Sequence, residues 1–491
     1  MNTNWNNYYI DNDYVDNKYK IIESKRNKTL SNNSGSYRLT ADSYKGGFDY
    51  IDSDYLYRYH RENTNQYKGR KERASYINHV QPLADMLTSY IFESKPQRET
   101  PEQLSYILNN ASNQMNFDKF METLSLHTML YPVLILVDAP KTDGEQLTIA
   151  QRKQEGINPF LKIYKYNEIL DFCFSDDGVL EWVLLDDSYV KQNIFEPDEK
   201  IKRYTLWTKD FYQSFIFHKN RHGKTESVED SGEIEHDLGV VPAVFSGWGN
   251  LQNSDDLQIS PFQNISLMSR SVFNLMSVMD EALYSGSFKT MVYPIMNDND
   301  MPDKLMTGGL GDIAVLPYNG NVSGQPQFIS AETEDLSNHR EQIKILTKEI
   351  FRQVGLKDPE SDSKYYDSGI AKSIQFRNTS AVLTSYASEL ENTEQMIFKF
   401  LCAYEGINPN EIKINYNKDY NVDDIDNDLN RLYQALDISA DYEAINKHIK
   451  KEIIKKLLTD TTEAEDMKEL LQEIEETKEE LNPAIESVAV K

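Results

Sequence analysis

The stretch that decides the fold is Ser260–Gly406. It opens SPFQNISLMSRSVFNLMSVMDEAL (260–283), where Ser260 caps a helix, Pro261 takes its first position and Gln263 completes a capping box. Ile265, Met268, Val272, Met276, Met279 and Leu283 recur at helical spacing. Extended, glycine-punctuated sequence follows: MVYPI from Met291, GGLGDIAVLPYNG from Gly308 and QPQFIS from Gln325. A second helix is predicted from about Ala331 to Val354, with Gly355 as its cap. The polar loop LKDPESDSKYYDSG (356–369) then leads into a helix reaching Glu405. The order is helix, β insert, helix, loop, long helix.

The second of these helices carries Arg340, Lys344, Lys348 and Arg352 at steps of four. That spacing draws a slanted basic stripe on one face, with Ile343, Leu346, Ile350 and Val354 on the other. The loop adds Lys357 and Lys364, next to Tyr365 and Tyr366. By chemistry alone the stripe is either a set of shallow phosphate contacts or a solvated face with ion pairs to Glu341, Glu349 or Asp280.

Outward from this stretch, residues 1–50 are polar and rich in Asn, Ser and Tyr, and are expected to form a flexible arm. A helical block is predicted from Asp52 to Phe92, then helices at about 102–110 and 117–128. MLYPVLILVD, from Met129, reads as a buried strand. Residues 159–247 read as β-rich, with turns at Asp176–Gly178 and His222–Lys224. EIKINYNKDY (411–420) reads as one more strand, and helices are expected at roughly 422–436, 440–458 and 462–480, the third strongly acidic. The fold class is therefore α+β.

The net charge is −27, from 79 acidic and 52 basic residues, which argues against a protein that grips nucleic acid over its whole surface. An acidic conduit through which DNA slides remains compatible with it. The 31 tyrosines suit wet subunit interfaces, or reflect the codon usage of an AT-rich genome. Cys173 and Cys402 are the two cysteines, too few for a disulfide framework and expected as small buried hydrophobes in a reducing compartment. No apolar run has transmembrane length and the N-terminus has no signal-peptide pattern, so a cytoplasmic site of assembly is expected.

Catalytic chemistry finds little support. Gly223-Lys224-Thr225 has the end of a phosphate-binding loop, but His218 stands where the upstream glycine is needed. The eight histidines show no metal-ligand spacing. Asp176, Asp177, Asp186 and Asp187 flank strands as turn residues do, with a nuclease-type metal site as the alternative. No catalytic residue, metal or cofactor is assigned.

Four motifs carry a resemblance over roughly Asp52–Glu405: RASYINHVQPLADMLTSYIFESKP (73–96), LSLHTMLYPVLILVDAP (124–140), GVVPAVFSGWG (239–249) and DSGIAKS (367–373). In this order, and with the helix–insert–helix unit, the chain resembles the portal proteins of tailed double-stranded DNA bacteriophages, of the siphophage type. The polar N-terminus and acidic C-terminus depart from that pattern.

The resemblance implies a portal fold. Its parts would be an arm (1–50), a wing (51–259 and 370–420), stem helices (260–288 and 331–355), a clip (289–330), a tunnel loop (356–369) and a helical crown with an acidic tail (421–491). It further implies a homo-oligomeric ring, usually of twelve, at one capsid vertex. The ring would be the conduit for genome packaging, retention and ejection. Its partners would be the major capsid protein, the large terminase, a head–tail adaptor and double-stranded DNA passing without sequence preference. The protein would reside in the virion and have no active site. Arg340, Lys344, Lys348, Arg352, Lys357 and Lys364 are then the candidates for lining the DNA channel. The alternatives are another virion structural protein, such as a capsid or adaptor subunit, or a DNA-processing enzyme.

Overall fold

The computed structural model describes residues 6–9, 15–112, 114–139, 158–192, 194, 197–219, 225–236, 238–247, 260–287, 290–295, 315–319, 325, 327–329, 336–356, 369–418 and 420. In chain order, the N-terminal part runs β1 (Asn6–Tyr9), α1 (Val15–Ser24), α2 (Lys28–Lys45), α3 (Gly47–Asp52), α4 (Thr64–Arg73), α5 (Val80–Phe92), β2 (Gln97–Glu99), α6 (Ser105–Asn109), α7 (Phe117–Leu130) and β3 (Val133–Asp138). The β-rich part has β4 (Phe160–Lys165), β5 (Ile169–Phe174), β6 (Leu180–Asp186), β7 (Tyr189–Lys191), β8 (Glu199–Thr208), β9 (Phe211–Lys219), β10 (Thr225–Asp230), β11 (Ile234–Glu235) and β12 (Ala243–Ser246). The last part has α8 (Pro261–Ser287), β13 (Thr290–Ile295), β14 (Val315–Asn319), β15 (Gln327–Ile329), α9 (Leu336–Gln353), α10 (Gly369–Glu405) and β16 (Lys413–Asn415). The expected helices over 422–480 lie outside the described residues.

The mixture is α+β. The larger sheet is an antiparallel meander in the order β1-β10-β9-β8-β6-β5, with β11 beside β9 and β7 beside β8. A second sheet has the order β12-β3-β4. Its middle strand β3 is buried at every position from Val133 to Val137, which is why it reads as an unbroken apolar run. The main core forms where that sheet meets α5, α7, α8 and α10, through Leu83, Leu87, Phe117, Leu124, Phe262, Ile265, Leu390 and Phe398. The strand expected near 411–420 is β16, and it pairs with β2, tying together two segments far apart in sequence.

Three sequence expectations are corrected. Residues 15–50 are not a flexible arm: α1, α2 and α3 occupy them, and Leu30, Tyr37, Leu39 and Thr40 are buried. The helical spacing of Leu30, Tyr37, Ala41 and Tyr44 is interrupted by Asn33 and Ser34, and Asn and Ser are weak helix formers. Tertiary packing outweighs that propensity, helped by the Asn27 cap, whose Oδ1 accepts from Thr29 N (3.0 Å) and Leu30 N (3.1 Å).

The second correction is to the helical block from Asp52 to Phe92, which is broken. Between α3 and α4 the chain is irregular, and a capping box at Asn63 and Gln66 starts α4 afresh. The third is the capping box read at Ser260–Gln263. Ser260 Oγ does accept from Phe262 N (3.1 Å), but the Gln263 side-chain carbonyl accepts from Ser36 Oγ (3.1 Å) instead of reaching back.

Candidate nucleic-acid interface

Helix α8 buries one face from Phe262 to Ser277. Phe262, Ile265, Val272 and Phe273 are buried, while Met268 and Met276 pack against the core as filler. Leu283, read as part of the apolar stripe, is 51% exposed. Small buried residues, Ser266, Ser269 and Ser277, share the buried face and permit close approach of neighbouring elements. The C-terminal half of α8 is held by α4 and the segment before it. Buried Arg70 donates to Ser277 Oγ (3.1 Å) and, through Nε, to Glu62 Oε1 (2.8 Å); Tyr57 N donates to Asn274 Oδ1 (2.8 Å). Arg73 pairs with Glu281.

Helix α9 packs on α8 by one face only. Ile350 and Val354 are buried, and Ile343 and Leu346 are partly buried against the core. The 3.6-residue repeat then turns Arg340, Lys344, Lys348 and Arg352 outward, and all four are exposed. The four side chains of the stripe are therefore all solvent-exposed, with Glu341 and Glu349 beside them on the same helix. Arg352 is tempered by an intrahelical pair with Glu349 (2.7 Å). Among the described residues no ion pair involves Arg340, Lys344 or Lys348. Asp280, a candidate partner by sequence, sits where burial raises its carboxyl. Lys357 and Lys364 lie outside the described residues. The arrangement offers weak, water-screened contacts to an anionic polymer, since exposed cations bind phosphate loosely and in a salt-dependent way.

The other chemical candidates find structural uses or lie elsewhere. Asp187 accepts from Tyr164 OH (2.8 Å), Thr205 Oγ1 (2.6 Å) and Lys162 Nζ. Burial works to raise its carboxyl, but Lys162, Thr205 and Tyr164 outweigh that and hold it below the usual range. Asp186 Oδ1 accepts from Ser188 N, a turn contact (3.0 Å). Asp176 and Asp177 sit exposed at a turn. Among the described residues no group of three or more His, Cys, Asp and Glu is placed to hold a metal ion. Burial, with Glu411 nearby, raises the Cys402 thiol, which disfavours the thiolate form. Gly223 and Lys224 lie outside the described residues. No described helix is long and apolar enough to cross a membrane.

One charge cluster, buried at Arg98 and Glu394, was invisible in the sequence. Arg98 on β2 bonds Glu394 on α10 and Asp118 on α7, and Tyr416 OH donates to Glu394 Oε2 (2.6 Å). The Arg98 guanidinium lies 5.0 Å from the centre of the Phe117 ring. Nothing in local spacing announces partners 296 positions apart. The cluster locks β2, α7, α10 and the segment after β16 into one body.

No family model matches the chain, and no curated protein matches it. Solved structures with a loose likeness to the chain include two from gene transfer agent particles. A chain from the virion of a native gene transfer agent particle is 11% identical, with 80% of this chain and 89% of that one covered and a TM-score of 0.36. A chain from the neck of an empty gene transfer agent particle is 11% identical, with 89% and 93% covered and a TM-score of 0.35. At scores of this size no fold, function or residue role passes from them to this chain.

Proposed function

We propose that the chain is a portal-type virion protein: a ring-forming subunit, usually of twelve copies, through whose channel double-stranded DNA is packaged, retained and released. The observation that carries this reading is the order α8, three-stranded insert, α9, α10, with a basic stripe on the open face of α9. The insert is a sheet in the order β14-β13-β15, in which β13 runs parallel to β14 and antiparallel to β15. Among the described residues no strand pairs with the outer edges of β14 and β15, and a three-stranded sheet of this kind is a poor independent domain that gains from neighbouring copies. α8 and α9 correspond to the stem, the insert to the clip, and α10 to the helix crossing the wing.

In this reading the ring takes the major capsid protein, the large terminase and then a head–tail adaptor as partners. It has no catalytic step. Its chemistry is electrostatic: an acidic body discourages adhesion to DNA, while the α9 stripe supplies weak contacts that do not brake translocation. Electron microscopy of the purified full chain tests it. Rings with a central hole wide enough for duplex DNA are expected; a monomer at all concentrations and salts, or a closed particle without a hole, sinks it.

A further inference from the structure

An apolar cavity of about 570 Å³ opens between β12, the β5–β6 turn and α10, lined by Phe174, Val179, Val244, Phe245, Met396 and Phe400. One wall is a strand edge. Val137 N donates to Pro242 O (2.8 Å), and Val244 stands opposite Ile135 while Phe245 stands opposite Leu134. Antiparallel alternation then turns the backbone N–H and C=O of Phe245 away from β3, and among the described residues no strand pairs with that edge. Val179 and Met396 at the mouth are 46% and 37% exposed. A strand edge beside an apolar groove is the arrangement that accepts an extended segment: backbone bonds add a strand and pockets take alternate side chains.

The same chain presents a matching segment at the other end of the larger sheet. Strand β7 continues the line of β6 along β8, pairing Tyr189–Lys191 with Ile201–Glu199. All three of its side chains are exposed, Tyr189 at 45% and Val190 at 52%, and its outer edge is also unpaired among the described residues. The cavity lies at the start of β6 and β7 lies beyond its end. A strand of that length separates them by roughly 20 Å, so one chain cannot fill its own groove. Charge agrees. The cavity lining holds Glu389 and Lys399, and exposed Asp176 and Asp177 directly precede its Gly178, while exposed Lys191 and Lys200 lie on the ribbon with Glu199. Copies that each carry −27 repel, so a contact between them needs such local complementarity.

We infer that β7 of one copy seats in the β12–α10 groove of the next, Val190 entering the cavity, as a head-to-tail contact that repeats around a closed ring. The inference rests on the ring reading above and names one of its interfaces. The test uses the full chain. Val190→Cys and Met396→Cys proteins, mixed under mild oxidation, are expected to give a cross-linked pair joining one copy of each. Either protein alone, and the wild type with its Cys173 and Cys402, is expected to give none. Val190→Asp and Met396→Asp are each expected to lower the assembled fraction in native mass spectrometry at least tenfold, with thermal unfolding of the subunit unchanged. If the wild type assembles while the cross-link is absent and both aspartate variants assemble normally, this interface is wrong and the ring reading stands. If the wild type is monomeric throughout, both fall.

Discussion

Arg98 shows what single residues contribute here. Its guanidinium is nearly buried and faces the wholly buried Glu394, whose carboxyl burial pushes up against the Arg98 bonds that pull it down. Removing one partner strands the other charge without water. Arg98→Ala is expected to cost about 3–5 kcal/mol of stability, read as a shift in the urea midpoint, whereas a joint replacement of Arg98, Asp118 and Glu394 by apolar residues should cost less. An Arg98→Ala midpoint equal to wild type would mean the cluster is not closed in solution. His127 supplies a second test. Burial, with Lys165 nearby, depresses its pKa to about 4, below an unfolded value of about 6.5. The unfolded chain therefore binds the extra proton first. The stability His127 contributes as a neutral ring is fully present above about pH 6.5 and is lost progressively as pH falls toward 4, by at most about 3 kcal/mol. His127→Gln should flatten the fall in urea midpoint between pH 7 and pH 5; an unchanged slope would assign it to other groups, such as His79.

At the scale of elements, the legible features were those whose signal is periodic and local. The run of β3 and the two-faced pattern of α9 both survive in the fold because burial acts on the same residues that carry the pattern. α2 was missed because its buried positions are separated by Asn and Ser, so packing by partners distant in sequence makes the helix. The stripe was legible for the same reason as α9. The β12–α10 groove was not, since it joins residues from three separated segments. Two tests belong at this scale. Ser260→Ala removes the cap of α8 and should cost about 1 kcal/mol, measurable as a lower unfolding midpoint with no change in assembly; no loss would show that another group caps Phe262 N. Lys344→Glu and Lys348→Glu leave the buried face of α9 untouched. They should leave ring assembly intact and lower the DNA content per particle in a complemented phage lacking its own copy. Normal DNA content in both would place the stripe outside the channel.

The whole molecule combines a net negative charge, an α+β scaffold tied by buried ion pairs, and an exposed basic row on one of two paired helices. None of these is a catalytic device, and together they fit a passive conduit that works by shape, symmetry and weak electrostatics. The measurement that bears on this most directly is a cryo-electron microscopy reconstruction of the assembled full-length protein. A closed ring with a central channel is expected, with α8 and α9 running along it and Arg340, Lys344 and Lys348 facing the lumen. A monomer, an open filament, or a ring with α9 on its outer surface would contradict it.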